Sequence, residues 1–463
     1  MPDLANFFDV VATWLFRNVV MWLLLGTGLF LTLRFGVVQI RRLPEAFRAM
    51  VAQQSKGATG GVLSPFQAFM TALGASIGTG NIAGVAVAII TGGPGALFWI
   101  WVYGFVATAI KFSEAVLGVK FRETRAGDDI KVGPMYYLRD GLKSPALAWI
   151  YALVAGVAAL TTTPFTQPNS IAVAVNHVWP SGTMELPGLG TIQRTALIVG
   201  VIVAVLTIAV IIGGIKSIGR AAEKLAPLKV GLYLAGGLIV IVTFANRLPH
   251  VFSLVFTEAL SLRSLMGFGM FTAMRYGIAR GIYANEAGYG TAAVAYGTAK
   301  TDDPSQQGLQ AVMEVFIVSF VTATISAMTI LVSGVAETSI ALGRNDPAFV
   351  TSTAAVATAF NLAIPTFGGW VVAFCAFLFG YTTLIGWAFY GEQFLEYILG
   401  RSVRMPYRWI YCLLIPFGAI ARPDLVWNWG DLMNALQVFP NLIGVIGLSG
   451  LVAAYASRRA SKS

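Results

Sequence analysis

The sequence predicts an all-α membrane protein that crosses the bilayer many times. Hydrophobic residues make up 57% of the 463 residues, charged residues make up 11%, and the mean hydropathy is +0.74. A soluble domain carries about 25% charged residues. The apolar residues also fall into runs of about 20, which is the length needed for a helix to cross the hydrocarbon core. The net charge of +10 therefore indicates basic cytoplasmic loops rather than a nucleic-acid partner.

Eleven apolar segments qualify as spans, and they predict one transmembrane domain over residues 1–463. The first, 14–38, is an extra N-terminal helix. The next five occupy 64–246 and the last five occupy 264–456. The predicted spans are 14–38, 64–91, 94–118, 146–177, 194–214, 225–246, 264–285, 309–336, 366–399, 407–421 and 430–456.

The loop charges predict the orientation. With the N-terminus outside, the inner loops and the C-terminal tail hold 22 of the 31 lysines and arginines, whereas the outer loops hold 5. Since cytoplasmic loops carry the positive excess, we expect a multi-pass protein of the inner (plasma) membrane with its N-terminus outside and its C-terminus in the cytoplasm. The inner loop 120–143 is either a short amphipathic helix on the membrane surface or a plain solvated loop.

The second span contains a run of glycines, Gly74-Ala75-Ser76-Ile77-Gly78-Thr79-Gly80-Asn81-Ile82-Ala83-Gly84. Each glycine in a helix costs about 1 kcal/mol relative to alanine. One interpretation is a broken helix whose free backbone groups bind a solute, because unwound backbone is tolerated in a membrane only where it lines a cavity. The other is close helix packing through Gly-xxx-Gly spacing.

A second interruption, 273–281, follows five spans later and again mixes glycine with polar residues. Interrupted spans at corresponding positions of two halves point to an inverted-repeat transporter with its site at the breaks. The sequence therefore predicts two five-span inverted repeats after one extra helix.

Other classes of protein lack support in the residues. The two cysteines, Cys375 and Cys412, lie in apolar runs, and the two histidines, His177 and His250, lie near span ends. Such isolated groups provide neither a metal site nor a nucleophile with its base, so we expect no enzyme. A channel would show rings of charge or carbonyl loops. The expected partners are a small solute and membrane lipid, with no nucleic acid and no obligate protein partner.

Five stretches resemble the alanine or glycine:cation symporter family. They are LLLGTGLFLTLRFG at 23–36, ALGASIGTGNIAGVA at 72–86, GGPGALFWIWV at 92–102, RYGIARGIYANEAGYGTAA at 275–293 and GYTTLIGWAFYGE at 380–392. The resemblance implies a leucine-transporter-like fold with one added N-terminal helix. It also implies sodium-coupled symport of a small neutral amino acid, such as alanine or glycine, by alternating access. The alternative is a proton-coupled or exchange carrier of the same fold.

An amino acid presents a carboxylate and an ammonium, and the predicted substrate site provides for both. The backbone at Gly78, Thr79, Gly80 and Asn81 offers amides to the carboxylate. Carbonyls near Met274 and Gly277, in a break of the seventh span, are expected to accept from the ammonium.

Three side chains complete the predicted substrate site. Gln167 either contacts the substrate or makes an interhelical hydrogen bond. Trp387 and Thr383 are four residues apart and so share a helical face. Trp387 is expected to limit the side-chain pocket, although lipid-facing tryptophans are also common.

The predicted coupling ion is Na⁺. The hydroxyls of Thr382 and Thr383 and the carbonyl of Phe379 are its expected ligands, and the family resemblance adds the carbonyls of Gly74 and Ile77. A proton relay generally needs an acid or histidine at depth, whereas the acids Glu114, Glu286, Glu314 and Glu392 are expected near inner span ends. Arg280 is expected either to form an inner gate with Glu286 or to extend toward the cytoplasm.

Overall fold

The computed structural model describes residues 2–51, 60–124, 129–187, 190–261, 269–346 and 348–457. Several basic residues used to predict the orientation lie outside these ranges, including Lys56, Arg125, Arg263 and the tail after residue 457. The described chain is helical apart from two short antiparallel hairpins, Glu123–Thr124 with Ile130–Lys131 and Thr183–Leu186 with Gly190–Gln193.

Within the described ranges, seven helices are long and apolar enough to cross a membrane, and two bent helix pairs raise the number to nine. The bent pairs are Pro65–Ser76 with Thr79–Gly92, at 61°, and Leu425–Gly447 with Ser449–Ser457, at 62°. The seven single helices are Val10–Arg34, Ala96–Lys120, Pro145–Val178, Arg194–Ile211, Gly214–Thr243, Pro304–Val332 and Gly368–Leu399. The all-helical, multi-span fold class is therefore confirmed, but the count of eleven is not.

The two remaining predicted spans, 264–285 and 407–421, coincide with helices that are shorter than a typical span. These are Met270–Asn285, with 16 residues, and Arg404–Ile420, with 17 residues. A further set of short helices connects or extends the spans. It comprises Pro2–Leu15, Val38–Arg41, Leu43–Met50, Pro134–Tyr136, Leu248–Leu260, Thr291–Gly297, Val335–Leu342 and Ser352–Ala363.

Burial separates central helices from peripheral ones. Almost every side chain of Pro65–Ser76 is buried, as is most of Gly368–Leu399. By contrast, Arg194–Ile211 and Gly214–Thr243 leave large apolar side chains such as Val205 and Val242 exposed, at 60% and 71%. Exposed apolar side chains on one face of a long helix are expected where that face meets lipid. The bent helix Pro65–Ser76 is thus enclosed by protein, which makes its break tolerable.

The break in the second span occurs as predicted. The first half begins with a capping box, in which Ser64 Oγ accepts from Gln67 N at 3.1 Å and the Gln67 side chain accepts from Ser64 N at 3.2 Å. Helical geometry ends after Ser76, because Ile77 has ψ 74° and Gly78 is extended. A short 3₁₀ turn, Thr79–Asn81, leads into the second half, Ala83–Gly92. We call this element the first broken helix.

The break in the seventh span was predicted at the wrong place. Helix Met270–Asn285 runs through Met274 and Gly277 without interruption, and the chain unwinds only at 286–290 before Thr291–Gly297. Glu286, Gly288 and Gly290 there have φ values of 55°, 96° and 83°. Two of these three left-handed positions are glycines, which adopt that conformation without strain. We call Met270–Gly297 the second broken helix.

The inner loop 120–143 matches neither predicted alternative fully. Its described part holds the first hairpin, then a helical turn at Pro134–Tyr136 that continues as a wider turn over Tyr137–Gly141. Met135, Tyr136, Tyr137 and Leu138 are all buried. This turn therefore packs into the protein and does not lie on the membrane surface.

Candidate functional site

A small cavity lies where the two broken helices meet. Its volume is about 20 Å³, which is room for roughly one water molecule and well below the roughly 300–1,000 Å³ typical of small-molecule sites. The lining residues come from the breaks, from helices Pro145–Val178 and Gly368–Leu399, and from helix Pro423–Gly447. They are Ala75, Ser76, Gly78, Gly80, Asn81, Thr162, Thr163, Gln167, Tyr283, Glu286, Tyr289, Thr383, Trp387 and Asn434.

The unwound end of helix Pro65–Ser76 leaves carbonyls without helical partners, and side chains satisfy them. Ala75 O accepts from the Thr383 hydroxyl at 2.8 Å, and Ser76 O accepts from Asn81 Nδ2 at 3.1 Å. Thr383 lies on Gly368–Leu399, so its hydroxyl joins that helix to the break. Asn81 closes the turn from within. Both residues were predicted to lie in the site, and both also line the cavity.

The amides of the turn are only partly occupied. Thr79 N and Thr79 Oγ1 both donate to Gln167 Oε1, at 3.0 and 2.9 Å. Asn81 N donates to Gly78 O at 3.0 Å, whereas Gly80 N has no hydrogen-bond partner in the described part of the chain. Gln167 therefore makes the interhelical bond that was one of its two predicted roles. The Gly80 amide remains available to an anion in the cavity.

Two glycines of the turn are required by close contacts. A Cβ on Gly78 would lie 2.8 Å from Thr383 Oγ1 and 3.0 Å from Gln167 Oε1. A Cβ on Gly80 would lie 2.7 Å from Cδ1 of Tyr283. Any larger residue at these positions would displace the side chains that shape the cavity.

Glu286 brings a carboxylate into the cavity. Its Oε1 accepts from Trp387 Nε1 at 2.7 Å and its Oε2 accepts from Thr291 Oγ1 at 3.0 Å. Glu286 was predicted near an inner span end, and this expectation was wrong, because the residue begins the second break and lines the same cavity as Gly80. Trp387 is also a cavity residue rather than a lipid-facing one, being 3% exposed.

Two further carboxylates are buried beside the breaks, and their partners are close. Lys111 Nζ lies 2.7 Å from Glu314 Oε1 and donates to Ser76 Oγ at 2.9 Å, while Ser76 in turn donates to Glu314. Glu114 Oε1 accepts from Gly288 N and Gly290 N at 2.9 and 3.1 Å. Glu314 is therefore paired with a lysine, and Glu114 binds the unwound backbone. For Glu286, no lysine or arginine of the described ranges lies within the 4.0 Å of an ion pair.

The predicted sodium ligands converge, but the structure places a side chain of the protein among them. Lys229 Nζ, on helix Gly214–Thr243, donates to Gly74 O at 2.9 Å, Ile77 O at 2.6 Å and Thr382 Oγ1 at 2.5 Å. The charge count had assigned Lys229 to an inner loop. It is in fact completely buried within a span, and Lys111 is likewise buried at 1% exposure.

The predicted gate between Arg280 and Glu286 is not formed. Arg280 Nη2 lies 3.6 Å from Asp431 Oδ2, and its guanidinium lies 5.7 Å from the ring centre of Trp427. The cavity beside this pair is also lined by Arg344, which the charge count places in an outer loop. Arg280 therefore belongs to the side opposite the predicted inner gate.

A second set of ion pairs joins helix ends on the side of the cavity opposite Arg280. Arg404 Nη2 lies 2.6 Å from Asp129 Oδ1, and Arg404 Nε lies 2.6 Å from Glu396 Oε2. Arg408 Nε lies 2.6 Å from Glu392 Oε2. Two separate groups of ion pairs thus lie on either side of the central cavity.

The structure brings together most, but not all, of the predicted site residues. Gly78, Gly80, Asn81, Gln167, Thr383 and Trp387 line the cavity. Thr79 bonds to Gln167 beside it. Met274 and Gly277 do not line the cavity, and a Cβ on Gly277 would clash with Trp99 and the Ala96 carbonyl. Sequence reasoning missed Glu286 as a cavity residue and Lys229 altogether. The NEAGYG run at 285–290, with two glycines shortly after an acid, is the signal for the first of these.

Known proteins resemble the chain over nearly its whole length. The sodium/alanine symporter AgcS of Methanococcus maripaludis is 36% identical over 454 residues, which cover 97% of this chain and 96% of AgcS. A transporter of Haemophilus influenzae is 36% identical over 437 residues, covering 93% of this chain and 90% of that protein.

A solved structure shares the fold. MhsT, crystallised in complex with L-phenylalanine, superposes with a TM-score of 0.63 at 15% sequence identity, covering 87% of this chain and 94% of MhsT. This likeness shows the fold alone. The sequence profile of the Sodium:alanine symporter family matches residues 1–461. The chain therefore belongs to the sodium:alanine symporter family.

Proposed function

We propose that this protein is a symporter that carries a small neutral amino acid into the cell together with sodium by alternating access. The observation that carries the proposal is the pairing of a free amide, Gly80 N, with a buried carboxylate, Glu286, across one small cavity. A zwitterionic amino acid needs both a donor for its carboxylate and an acceptor for its ammonium. Membership of the sodium:alanine symporter family supports both the substrate class and the ion.

The carboxylate of the substrate binds at the first break. Gly80 lines the cavity and lies just before helix Ala83–Gly92, at whose start the amide dipoles favour an anion. Gln167 Oε1 is held by Thr79. Its amide nitrogen makes one long contact, to Thr166 Oγ1 at 3.5 Å, and has a second N–H with which to donate to the substrate. The roles predicted for Gly78, Thr79 and Asn81 become those of shaping this turn.

The ammonium of the substrate binds to Glu286. Around the two breaks the buried ionisable groups are three carboxylates, Glu114, Glu286 and Glu314, and two amines, Lys111 and Lys229. Lys111 pairs with Glu314, Lys229 contacts neutral oxygens, and Glu114 accepts from backbone amides. Glu286 is thus a cavity carboxylate that no lysine of the described residues contacts. A buried charge without a counter-charge is costly, so a bound ammonium at Glu286 restores neutrality.

The cavity is matched to a small side chain. Trp387 is held in place because its indole nitrogen donates to Glu286 at 2.7 Å, and Thr383 is fixed by its bond to Ala75 O. Since the cavity holds only about 20 Å³ and Gly78 leaves no room on the other side, its walls must separate to admit a substrate. The wall formed by Trp387 then favours a small one such as alanine or glycine.

Alternating access would use the two groups of ion pairs. In the proposed orientation, with the N-terminus outside and the C-terminus inside, Arg280 and Asp431 close the outer side, while Arg404 and Arg408 with their acids close the inner side. The proposed arrangement is the leucine-transporter-like one, with an extra helix followed by inverted repeats over 64–246 and 264–456. Its eleven spans include the short helices Met270–Asn285 and Arg404–Ile420.

A proton-coupled or exchange carrier is the second candidate, and a specific observation favours it. Buried ionisable groups in a membrane span often mark proton pathways, and Glu286 lines the cavity itself. The sequence argument against proton coupling requires that no acid lies within a span at the depth of the cavity. Glu286 does lie there.

Uptake of radiolabelled alanine into proteoliposomes separates the two candidates. An inward sodium gradient without a proton gradient should drive accumulation, and the reverse arrangement should not. Accumulation that requires only the proton gradient would replace sodium symport by the second candidate. If neither gradient drives uptake of alanine, glycine or serine, the proposed substrate class is wrong.

A further inference from the structure

The ammonium of Lys229 lies among oxygens that resemble the ligands of a monovalent cation. Gly74 O and Ile77 O belong to the unwound end of the first broken helix, and Thr382 Oγ1 belongs to Gly368–Leu399. A hard cation such as sodium needs only neutral oxygen ligands of this type. The Phe379 ring, with its centre 5.2 Å from Nζ, adds a cation–π contact.

The hydrogen bonds indicate that this amine is protonated. The two carbonyl oxygens accept only. The Thr382 hydroxyl has carbonyl acceptors on its own helix, Leu378 O at 3.0 Å and Phe379 O at 3.1 Å, so its oxygen is free to accept from Lys229. With the Thr382 hydroxyl donating to its own helix, three acceptors surround the nitrogen, and this arrangement matches the three N–H groups of an ammonium.

We infer that Lys229 replaces a sodium ion at the position formed by Gly74, Ile77 and Thr382, as a cation tethered to the protein. The ammonium and a sodium ion at the same oxygens exclude each other, because Nζ lies only 2.5 to 2.9 Å from all three. The sodium ion that couples transport then binds elsewhere. This inference rests on the proposed function in one respect, namely that the carrier uses sodium at all.

The tether has a mechanistic consequence. Lys229 joins helix Gly214–Thr243 to the break of Pro65–Ser76 and to Gly368–Leu399 through one charge. A bound ion would leave this position with the substrate in each cycle, whereas the lysine remains. The contact between the first broken helix and Gly368–Leu399 is therefore independent of sodium concentration, and this position contributes no transported ion.

Replacement of the lysine tests the inference. Lys229→Met removes the charge but keeps an unbranched side chain, and Lys229→Ala leaves more room. Each purified variant is titrated with sodium chloride against potassium chloride at constant ionic strength, and both bound radioactive sodium and thermal unfolding are measured. We expect each variant to bind one more sodium ion than the wild type and to unfold at a higher temperature in sodium than in potassium. The double variant Lys229→Ala with Thr382→Val should lose this gain, since one ligand is removed.

Every outcome decides the question. If a folded variant binds the same number of sodium ions as the wild type, the position is not a cation site. If both variants fail to fold in sodium as well as in potassium, sodium does not substitute for the ammonium and the inference is overturned. These measurements need no amino-acid substrate. Failure of sodium-driven uptake by the wild type would therefore overturn the proposed function without affecting this result.

Discussion

Neutralising Glu286 is the most informative single change in the substrate site. Glu286→Gln keeps the size of the side chain, and its amide oxygen can still accept from Trp387 Nε1, which lies 2.7 Å from Oε1 in the structure. The Thr291 hydroxyl, 3.0 Å from Oε2, can accept from the new amide. The substitution therefore removes the negative charge and leaves the local hydrogen bonds in place.

The expected loss follows from the charge that the substrate ammonium would no longer meet. A hydrogen bond to a charged group contributes about 1.5–3 kcal/mol, which corresponds to a roughly 10- to 150-fold weaker affinity. The assay is alanine binding to purified protein at saturating sodium. Glu258→Gln is the matched control, since Glu258 is also buried, at 1% exposure, but does not line the cavity.

The reasoning fails if Glu286→Gln binds alanine as tightly as the wild type while remaining folded. It also fails if Glu258→Gln loses as much affinity as Glu286→Gln, because the effect would then reflect general destabilisation. A substrate analogue without the amino group, propionate, provides a second check. The substitution should not weaken inhibition by propionate.

Three further predictions concern the cavity and the orientation. Trp387→Ala should admit larger substrates such as leucine, with a change in discrimination of about 1–3 kcal/mol per methylene. Trp387→Phe should keep most of the selectivity. Unchanged selectivity in the alanine variant would show that Trp387 does not line the pocket. Thr383→Val should weaken alanine binding by about fivefold, because the bond to Ala75 O at 2.8 Å contributes about 1 kcal/mol, and Thr383→Ser should restore it. A silent valine variant would show that the hydroxyl bonds only to its own helix. Lys131→Cys should react with a membrane-impermeant thiol reagent only after the cells are opened, and labelling of intact cells would reverse the proposed orientation.

The sequence located the first broken helix because its signal is local. Four glycines within 74–84 disfavour a continuous helix, and the break indeed falls at Ile77–Gly78. Thr383 and Trp387 could be placed on one face because they are four residues apart in a long helix. Both contribute to the cavity as predicted from that spacing.

The second break was predicted at the wrong place because glycine and polar residues occur within a membrane helix for more than one reason. Gly277 and Gly281 lie in a continuous helix and permit close packing against Trp99 and Tyr103. The actual break at 286–290 instead depends on left-handed residues and on Glu114, which binds the amides of Gly288 and Gly290 from another helix. Such a tertiary contact is not visible in the local pattern.

Lys229 was missed because it follows three basic residues of the inner loop, Lys216, Arg220 and Lys224, at regular intervals. A charge count along the chain assigns all four to the same solvated surface. Only the packing of Gly214–Thr243 against Pro65–Ser76 and Gly368–Leu399 shows that the fourth is turned inward. Whether a lysine of this helix is buried or solvated depends on which face of the helix other helices cover, and only the tertiary structure shows this.

The central claim is that one zwitterion binds between Gly80 and Glu286, and a structure determined with bound alanine tests it most directly. The account predicts that the alanine carboxylate contacts Gly80 N and the Gln167 side chain, that the ammonium contacts the Glu286 carboxylate, and that the methyl group faces Trp387. Alanine bound in the reverse orientation, or in a cavity that Glu286 does not line, would contradict it.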